Sequence, residues 1–326
     1  MTRLLPIASG KGGVGKSLIA ANLGVSLARK GKTVILVDLD LGGSNLHTFL
    51  GMRNRNPGIG SLYWKQERNL QSLLAETGEE RLWLVPGDNL LPGVANLEWQ
   101  VKKRILRDIA KLPADFVLLD LGAGSSWNVV DFWLSVSGGL LVVVPEITSV
   151  LNAYSFLKSA AFRMLSQLFP AGGAERRELD TYVAEKREGS GISIFEFVRD
   201  LARRNPSRGG EAIKALSSLR PCVIVNRAEG SADADVGYRL RDISSKNLGI
   251  ALSFGAFLPE DRAVPPSLAS RRPLAASDPT APFSRAIGAF ANRLAASPAP
   301  SPIASPGPLA DVDLEDLAAE TLSLIE

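Results

Sequence analysis

Residues Gly10-Lys11-Gly12-Gly13-Val14-Gly15-Lys16-Ser17 fit the pattern G-x-x-x-x-G-K-[ST], a phosphate-binding loop. Its glycines let backbone N–H groups approach phosphate oxygens with no Cβ in the way. In this pattern the lysine, here Lys16, reaches the β- and γ-phosphates, and the Ser17 hydroxyl ligates Mg²⁺. Two sets of acids could serve the same chemistry. Asp38 and Asp40 end one apolar run, residues 33–37, and Asp120 ends another, residues 116–119. A carboxylate at such a place, Asp120 above all, can hold the shell of a metal ion that neutralises phosphate charge, the Walker B arrangement. Asp38 and Asp40 could instead cap the helix that follows them. Loop, lysine, hydroxyl and acids together point to a nucleoside triphosphate and to phosphoryl transfer to water.

A strand must feed such a loop and a helix must leave it, because a helix N-terminus aims N–H groups and a positive dipole end at an anion. Residues 4–8 suit the strand, and residues 18–29 read as the helix, closed by Gly31. The continuous apolar runs 33–38 and 140–144 read as parallel strands buried on both faces. Residues 81–87, 115–120, 219–225 and 256–258 read as further strands, and 97–110 as a helix with basic residues along one side. Residues 51–80 read as irregular, with short helical pieces. Acids at the carboxyl ends of parallel strands lie where open α/β sheets bind ligands. The pattern predicts an α/β fold of three layers, a mostly parallel twisted sheet with helices on both faces.

A second lysine makes the loop more specific. The text KGGVGKS, with Lys11 ahead of Lys16, resembles the deviant Walker A motif of the MinD/ParA family of P-loop ATPases. Residues 38–46, DLDLGGSNL, resemble that family's switch I, and residues 120–124, DLGAG, its switch II. Residues 120–158 are similar to the flagellar-placement FlhG/FleN branch, with matches at Pro145, Glu146, Thr148, Ala153, Tyr154 and Lys158. The resemblance covers roughly residues 3–168 and 217–296. It implies a P-loop NTPase fold that binds ATP or ADP with Mg²⁺ and hydrolyses ATP slowly, with stimulation by a partner. It implies that Lys11 contacts the nucleotide of a second subunit, so that a nucleotide-dependent homodimer acts as a switch placing or counting a cellular structure such as flagella. It implies catalytic roles for Lys11, Lys16 and Asp40, the last positioning the attacking water. The implied metal set is Ser17, Asp38 and Asp120. The implied nucleotide contacts are Gly10 through Ser17, Gly124 as a γ-phosphate sensor, and an adenine pocket of Asn226, Arg227, Pro259 and Glu260.

The 326 residues suffice for one large α/β domain or two smaller ones, and 45% hydrophobic content supports a sizeable core. No apolar stretch approaches the roughly 18–20 residues of a membrane span. Met1 leads straight into a predicted strand, with no signal pattern and no room for the N-terminal extension of the FlhG/FleN branch. The single cysteine, Cys222, excludes an internal disulfide and reads as a buried small hydrophobe. The cytoplasm is the expected compartment. His47, the only histidine, reads as a packing or surface residue, and Trp64, Trp83 and Trp99 as packing residues.

An ATPase domain is expected over residues 1–296, followed by a Pro/Ala/Ser-rich linker at 297–310 and an acidic amphipathic tail at 311–326. The tail carries six acids and no Lys or Arg, so the net charge of +3 leaves about +9 on the rest. Leu314, Leu317, Leu322 and Ile325 space as one face of a helix that could fold back on the body or dock in a partner's groove. Its acidity opposes binding to anionic lipid. Residues 171–215 hold nine Lys/Arg and eight Asp/Glu and read as an inserted helical unit hinged at Gly172-Gly173 and Gly209-Gly210. Ser193-Ile194-Phe195-Glu196 spells a capping box inside it. The insertion either covers the sheet or docks a protein partner or activator. Three rival functions stay open: a ParA-type DNA-segregation ATPase, supported only by overall charge; an iron–sulfur carrier, which would need a second cysteine; and a noncatalytic nucleotide-binding scaffold.

Overall fold

The computed structural model describes residues 2–53, 57–63, 69–87, 97–187, 192–297 and 312–324. Among the described residues, eight strands form one sheet: β1 (Arg3–Ala8), β2 (Val34–Leu39), β3 (Ala75–Glu76), β4 (Leu82–Val85), β5 (Phe116–Leu121), β6 (Leu140–Val143), β7 (Cys222–Ala228) and β8 (Ser253–Pro259). Their order is β3-β4-β2-β5-β1-β6-β7-β8, parallel throughout except at β3, a short antiparallel edge strand within the region read as irregular. Chain order reverses around β1. Its carboxyl end is therefore a topological switch point, where crossovers diverge and leave a crevice.

The strands are apolar on both sides because both sides are covered. Along β2, Ile35, Val37 and Leu39 enter one buried cluster while Val34 and Leu36 enter the other. The helices of seven or more residues are α1 (Lys16–Arg29), α2 (Trp99–Ile109), α3 (Trp127–Trp133), α4 (Ile147–Leu168), α5 (Ala174–Arg187), α6 (Ile194–Arg204), α7 (Pro206–Ser218), α8 (Asp235–Leu248), α9 (Pro282–Ala296) and α10 (Leu314–Leu322). Helices α1 and α9 bury their apolar faces in one cluster. Helices α2, α3, α4, α6, α7, α8 and α10 contribute to the other. The three-layer α/β fold is thus as expected.

Residues 171–215, expected as an inserted unit, contribute to α5, α6 and α7. The capping box forms: Ser193 Oγ accepts from the Glu196 amide at 3.1 Å, and Glu196 accepts from the Ser193 amide at 2.8 Å. The second expected hinge does not. Gly209 and Gly210 lie inside α7, and Gly209 presses on α6 so closely that a Cβ there would stand 2.2 Å from Ala202 Cα. Gly209 is a helix–helix contact, whereas a Cβ on Gly210 would meet open space. Periodicity alone could not separate the two uses of glycine.

The tail folds back on its own body. Helix α10 covers the edge strand β8, burying Leu314, Leu317, Ala318 and Thr321. Thr321 Oγ1 donates to the Phe257 carbonyl at 2.6 Å, and Arg293 pairs with Glu320 at 3.1 Å. Nine residues are too few for a stable isolated helix, so this packing holds it. It also shields a sheet edge that would otherwise present open backbone groups. Thr321, not Leu322, completes the buried face; the linker past Ser297, Asp311, Ile325 and Trp64 lie outside the described residues. Among the described residues no helix is long and apolar enough to cross a membrane.

Candidate nucleotide site

The loop after β1 delivers Lys16 and Ser17 as the first residues of α1, capped by Gly15 in the left-handed region at φ 98°. In the sheet's register Asp38 of β2 stands beside Asp120 of β5, which neighbours Ile7 of β1. Adjacent parallel strands therefore bring the two carboxylates together under the loop. Both are 1% exposed. Burial is the main cause raising Asp120 to about 8, with repulsion from Asp38 adding to it and the Ser17 hydroxyl and Lys16 opposing it. Burial likewise raises Asp38 to about 6. Lys16 is pushed down by burial, against the pull of Asp120 and Asp40. The cluster is a charge-dense site in a poorly solvated place, built to change protonation or to take up positive charge.

The two acids do different work. Asp38 accepts from the Ser44 hydroxyl at 2.6 Å and from the amides of Leu46 and Asp40 at 3.1 Å each. Both its oxygens are engaged, so it braces the 38–46 loop beside Asp120. The Ser17 hydroxyl is near enough to Asp120 to favour its charged form, and Asp120 Oδ1 is buried without a partner. A bare buried carboxylate oxygen is costly, and a cation beside the Ser17 hydroxyl would satisfy it. Among the described residues no group of three or more His, Cys, Asp or Glu gathers to hold a metal. That donor set fits magnesium, which uses one or two carboxylates and takes its remaining ligands from water and phosphate.

A cleft of about 460 Å³ opens above this cluster. Of the residues expected to bind nucleotide, Gly12, Gly13, Gly15, Lys16, Ser17, Asn226, Arg227, Pro259 and Glu260 line it, and so does Asp40. Gly10, Lys11, Val14 and Gly124 do not. Gly10 is pressed against α4, where a Cβ would stand 2.1 Å from the Asn152 carbonyl carbon. Val14 is buried and lends its carbonyl to Asn226 Nδ2 at 2.8 Å. Gly124 spends its amide on the Ser9 carbonyl at 3.1 Å, and Ala123 takes its place in the lining. Lys11 reaches sideways, pairing with Glu146 and donating to Thr148 at 3.3 Å. That ion pair draws Glu146 below the usual carboxylate range.

The other end of the cleft is assembled from distant segments. Asn226 lies in the last half of β7, with one amide N–H committed to the loop. Arg227, at φ 62°, turns outward to Glu260 at 2.9 Å. Val264, Pro265, Leu268 and Phe283 form an apolar wall that the sequence reading missed. Flat and apolar with a polar rim, this end suits a purine, and the loop end suits its phosphates. Asn45 and Phe49 of the 38–49 segment also line the cleft. Asn45 lies within the DLDLGGSNL text, but Phe49, Leu268 and Phe283 carry no local signal.

A parallel sheet with a phosphate loop at its switch point and acids on the tips of adjacent strands defines a P-loop nucleotide-binding fold. The CobQ/CobB/MinD/ParA nucleotide binding domain model matches residues 5–274, and the chain belongs to that family. It is 32% identical over 160 residues to the flagellum site-determining protein YlxH of Helicobacter pylori, covering 48% of this chain and 53% of that protein. It is 31% identical over 163 residues to the septum site-determining protein MinD of the same organism, covering 46% and 56%. The chain thus spans about half the length of the curated relatives it matches. Among solved structures, MinD of Pyrococcus horikoshii complexed with Mg-ADP superposes with TM-score 0.59 at 22% identity, covering 89% of this chain and 95% of that one. The MinC:MinD complex of Aquifex aeolicus gives 0.58 at 22%, covering 92% and 98%. Both structures share the fold.

Proposed function

We propose that the protein is an Mg²⁺-dependent ATPase whose triphosphate-bound form is a dimer and whose diphosphate-bound form is a monomer. The observation that carries this reading is the buried Lys16–Ser17–Asp120 cluster with its unpartnered carboxylate oxygen beneath the phosphate loop. Ser17 and Asp120 would hold the ion, which when bound neutralises charge on the β- and γ-phosphate oxygens. Lys16 adds a second positive charge at the same oxygens. Asp40, in the cleft wall and close enough to Lys16 to influence its charge, would orient a water in line with the γ-phosphorus. The water oxygen forms the new P–O bond as the bond to the β-phosphate oxygen breaks, leaving ADP and phosphate.

Lys11 supplies the link to assembly. Its pairing with Glu146 is exposed and so worth little, and a better partner would draw it away. In the proposed dimer that partner is the triphosphate of the facing subunit, as the deviant Walker A resemblance implies. Output would be the placement or number control of a cellular structure; the similarity to a flagellum site-determining protein makes flagella the first candidate. The test is ATP hydrolysis by the purified chain with and without Mg²⁺, beside Lys16→Ala. Equal turnover by wild type and Lys16→Ala would end the proposal.

A further inference from the structure

Helix α4 begins beside the phosphate loop and ends against the inserted helices. Its start holds Lys11 through Glu146 and Thr148, and its Asn152 backbone abuts Gly10. Six residues later, about 9 Å along the helix, Lys158 stands between two adjoining hollows of about 390 and 270 Å³. Lys158, Tyr182 and Ile194 line both, so the hollows form one groove between α4 and the helices α5 and α6. Trp127 and Phe162 wall the larger hollow; Tyr154 and Asn247 close the smaller. Lys158 makes no hydrogen bond or ion pair with any described residue.

Tryptophans and cations stack at the groove's mouth. The Arg163 guanidinium lies 5.1 Å from the Trp127 ring and 5.7 Å from the Trp99 ring, and Lys103 lies 5.1 Å from Trp99. Beneath them Arg163 and Lys102 grip the buried Asp131 at 2.6 and 2.5 Å. Yet Trp127 and Trp99 stay 49% and 42% exposed. Such tryptophans, fixed by an arginine beside a hollow, are the residue types that dominate protein interfaces. Lys102 and Arg163 are spent on the buried Asp131, and Glu196 accepts from the Ser193 amide in the α6 cap, which leaves Lys103 and Lys158 without a carboxylate partner among the described residues.

We propose that this groove docks an acidic peptide segment of a partner protein. A large apolar side chain would fill the hollow beside Trp127 and Phe162, and a neighbouring carboxylate would pair with Lys158. One unpaired lysine in a groove suits one carboxylate; a nucleic-acid backbone would need a track of several. A bilayer surface would meet the rim and leave the walled hollow empty. The inference deepens the proposed switch by giving it a partner site six residues from the loop contact, and it stands or fails separately from ATP turnover.

Short random peptides displayed on phage and selected on the full chain, with hits titrated by fluorescence anisotropy, test it. Hits are expected to pair Asp or Glu with Phe, Trp or Leu. Lys158→Glu and Trp127→Ala should each weaken them about tenfold or more, and a hit with its acid changed to Lys should regain affinity for Lys158→Glu. Circular dichroism and ATP binding report whether each variant is folded; should Trp127→Ala unfold, the charge swap at Lys158 decides alone. Hits without acidic bias, or hits that bind Lys158→Glu as well as wild type, would overturn the proposal. So would binding to phosphatidylglycerol vesicles or single-stranded DNA that the same variants abolish. Peptide binding by Asp40→Ala, which should lack turnover, separates a failure of the groove from a failure of the proposed ATPase.

Discussion

The two ends of the cleft are built on different principles. At the phosphate end, Lys16, Asp38 and Asp120 are buried and Ser17 half-buried, gathered by three adjacent strands and dependent on one another for charge balance. At the base end, Arg227 and Glu260 form an exposed rim over an apolar wall drawn from residues 259–283. Burial makes each group at the first end costly to lose, because its partners are left charged in a poorly solvated place. Exposure makes the rim at the second end replaceable by water. Chemistry is thus fixed where the sheet is most crowded, and ligand preference is left to a surface that can vary.

This contrast ranks the expected effects of substitution. Lys16→Ala and Asp40→Ala should each lower single-turnover ATP hydrolysis by about 10²–10³. They should differ in binding, Lys16→Ala losing ATP in equilibrium titration and Asp40→Ala retaining it. Asn226→Ala joins the two ends. It strips the Val14 carbonyl of a buried donor, worth about 1–3 kcal/mol, and should loosen ATP binding by a corresponding factor of about 5–150. Arg227→Ala removes only a half-exposed ion pair, worth about 0–1 kcal/mol, and should change the ATP dissociation constant less than about fivefold. An Arg227→Ala effect equal to that of Lys16→Ala would erase the distinction between the ends.

Acid–base behaviour sharpens the same contrast. Asp120 rises from 3.8 to about 8 and Asp38 from 3.8 to about 6 on folding. Between those limits the folded chain binds more protons than the unfolded chain, so stability falls as pH rises. Without nucleotide and in chelator, the melting temperature should drop between about pH 6 and pH 8. Asp120→Asn should flatten that slope. Thermal melts across this range check both.

How much was legible in sequence follows the same division. The phosphate end announces itself because its residues sit on three short stretches, and strand tips in a parallel sheet meet by register. What the sequence could not disclose was how the acids are partnered: Asp38 accepts from Ser44 and Leu46, while Asp120 Oδ1 is buried without a partner. Nor could it show Lys11 turned toward Glu146 across 135 residues. The apolar wall depends on Phe283 of α9 meeting β8, a long-range packing event with no local pattern. Gly209 looked like a hinge because the close approach of α6 and α7 leaves the same residue type in the sequence.

The central claim is that the third phosphate brings two copies of the chain together. Sedimentation of the Asp40→Ala protein with ATP, with ADP and without nucleotide reads this directly. A dimer with ATP alone and a monomer otherwise is the expected result, with Lys11→Ala abolishing the dimer. The same mass in all three conditions would contradict it.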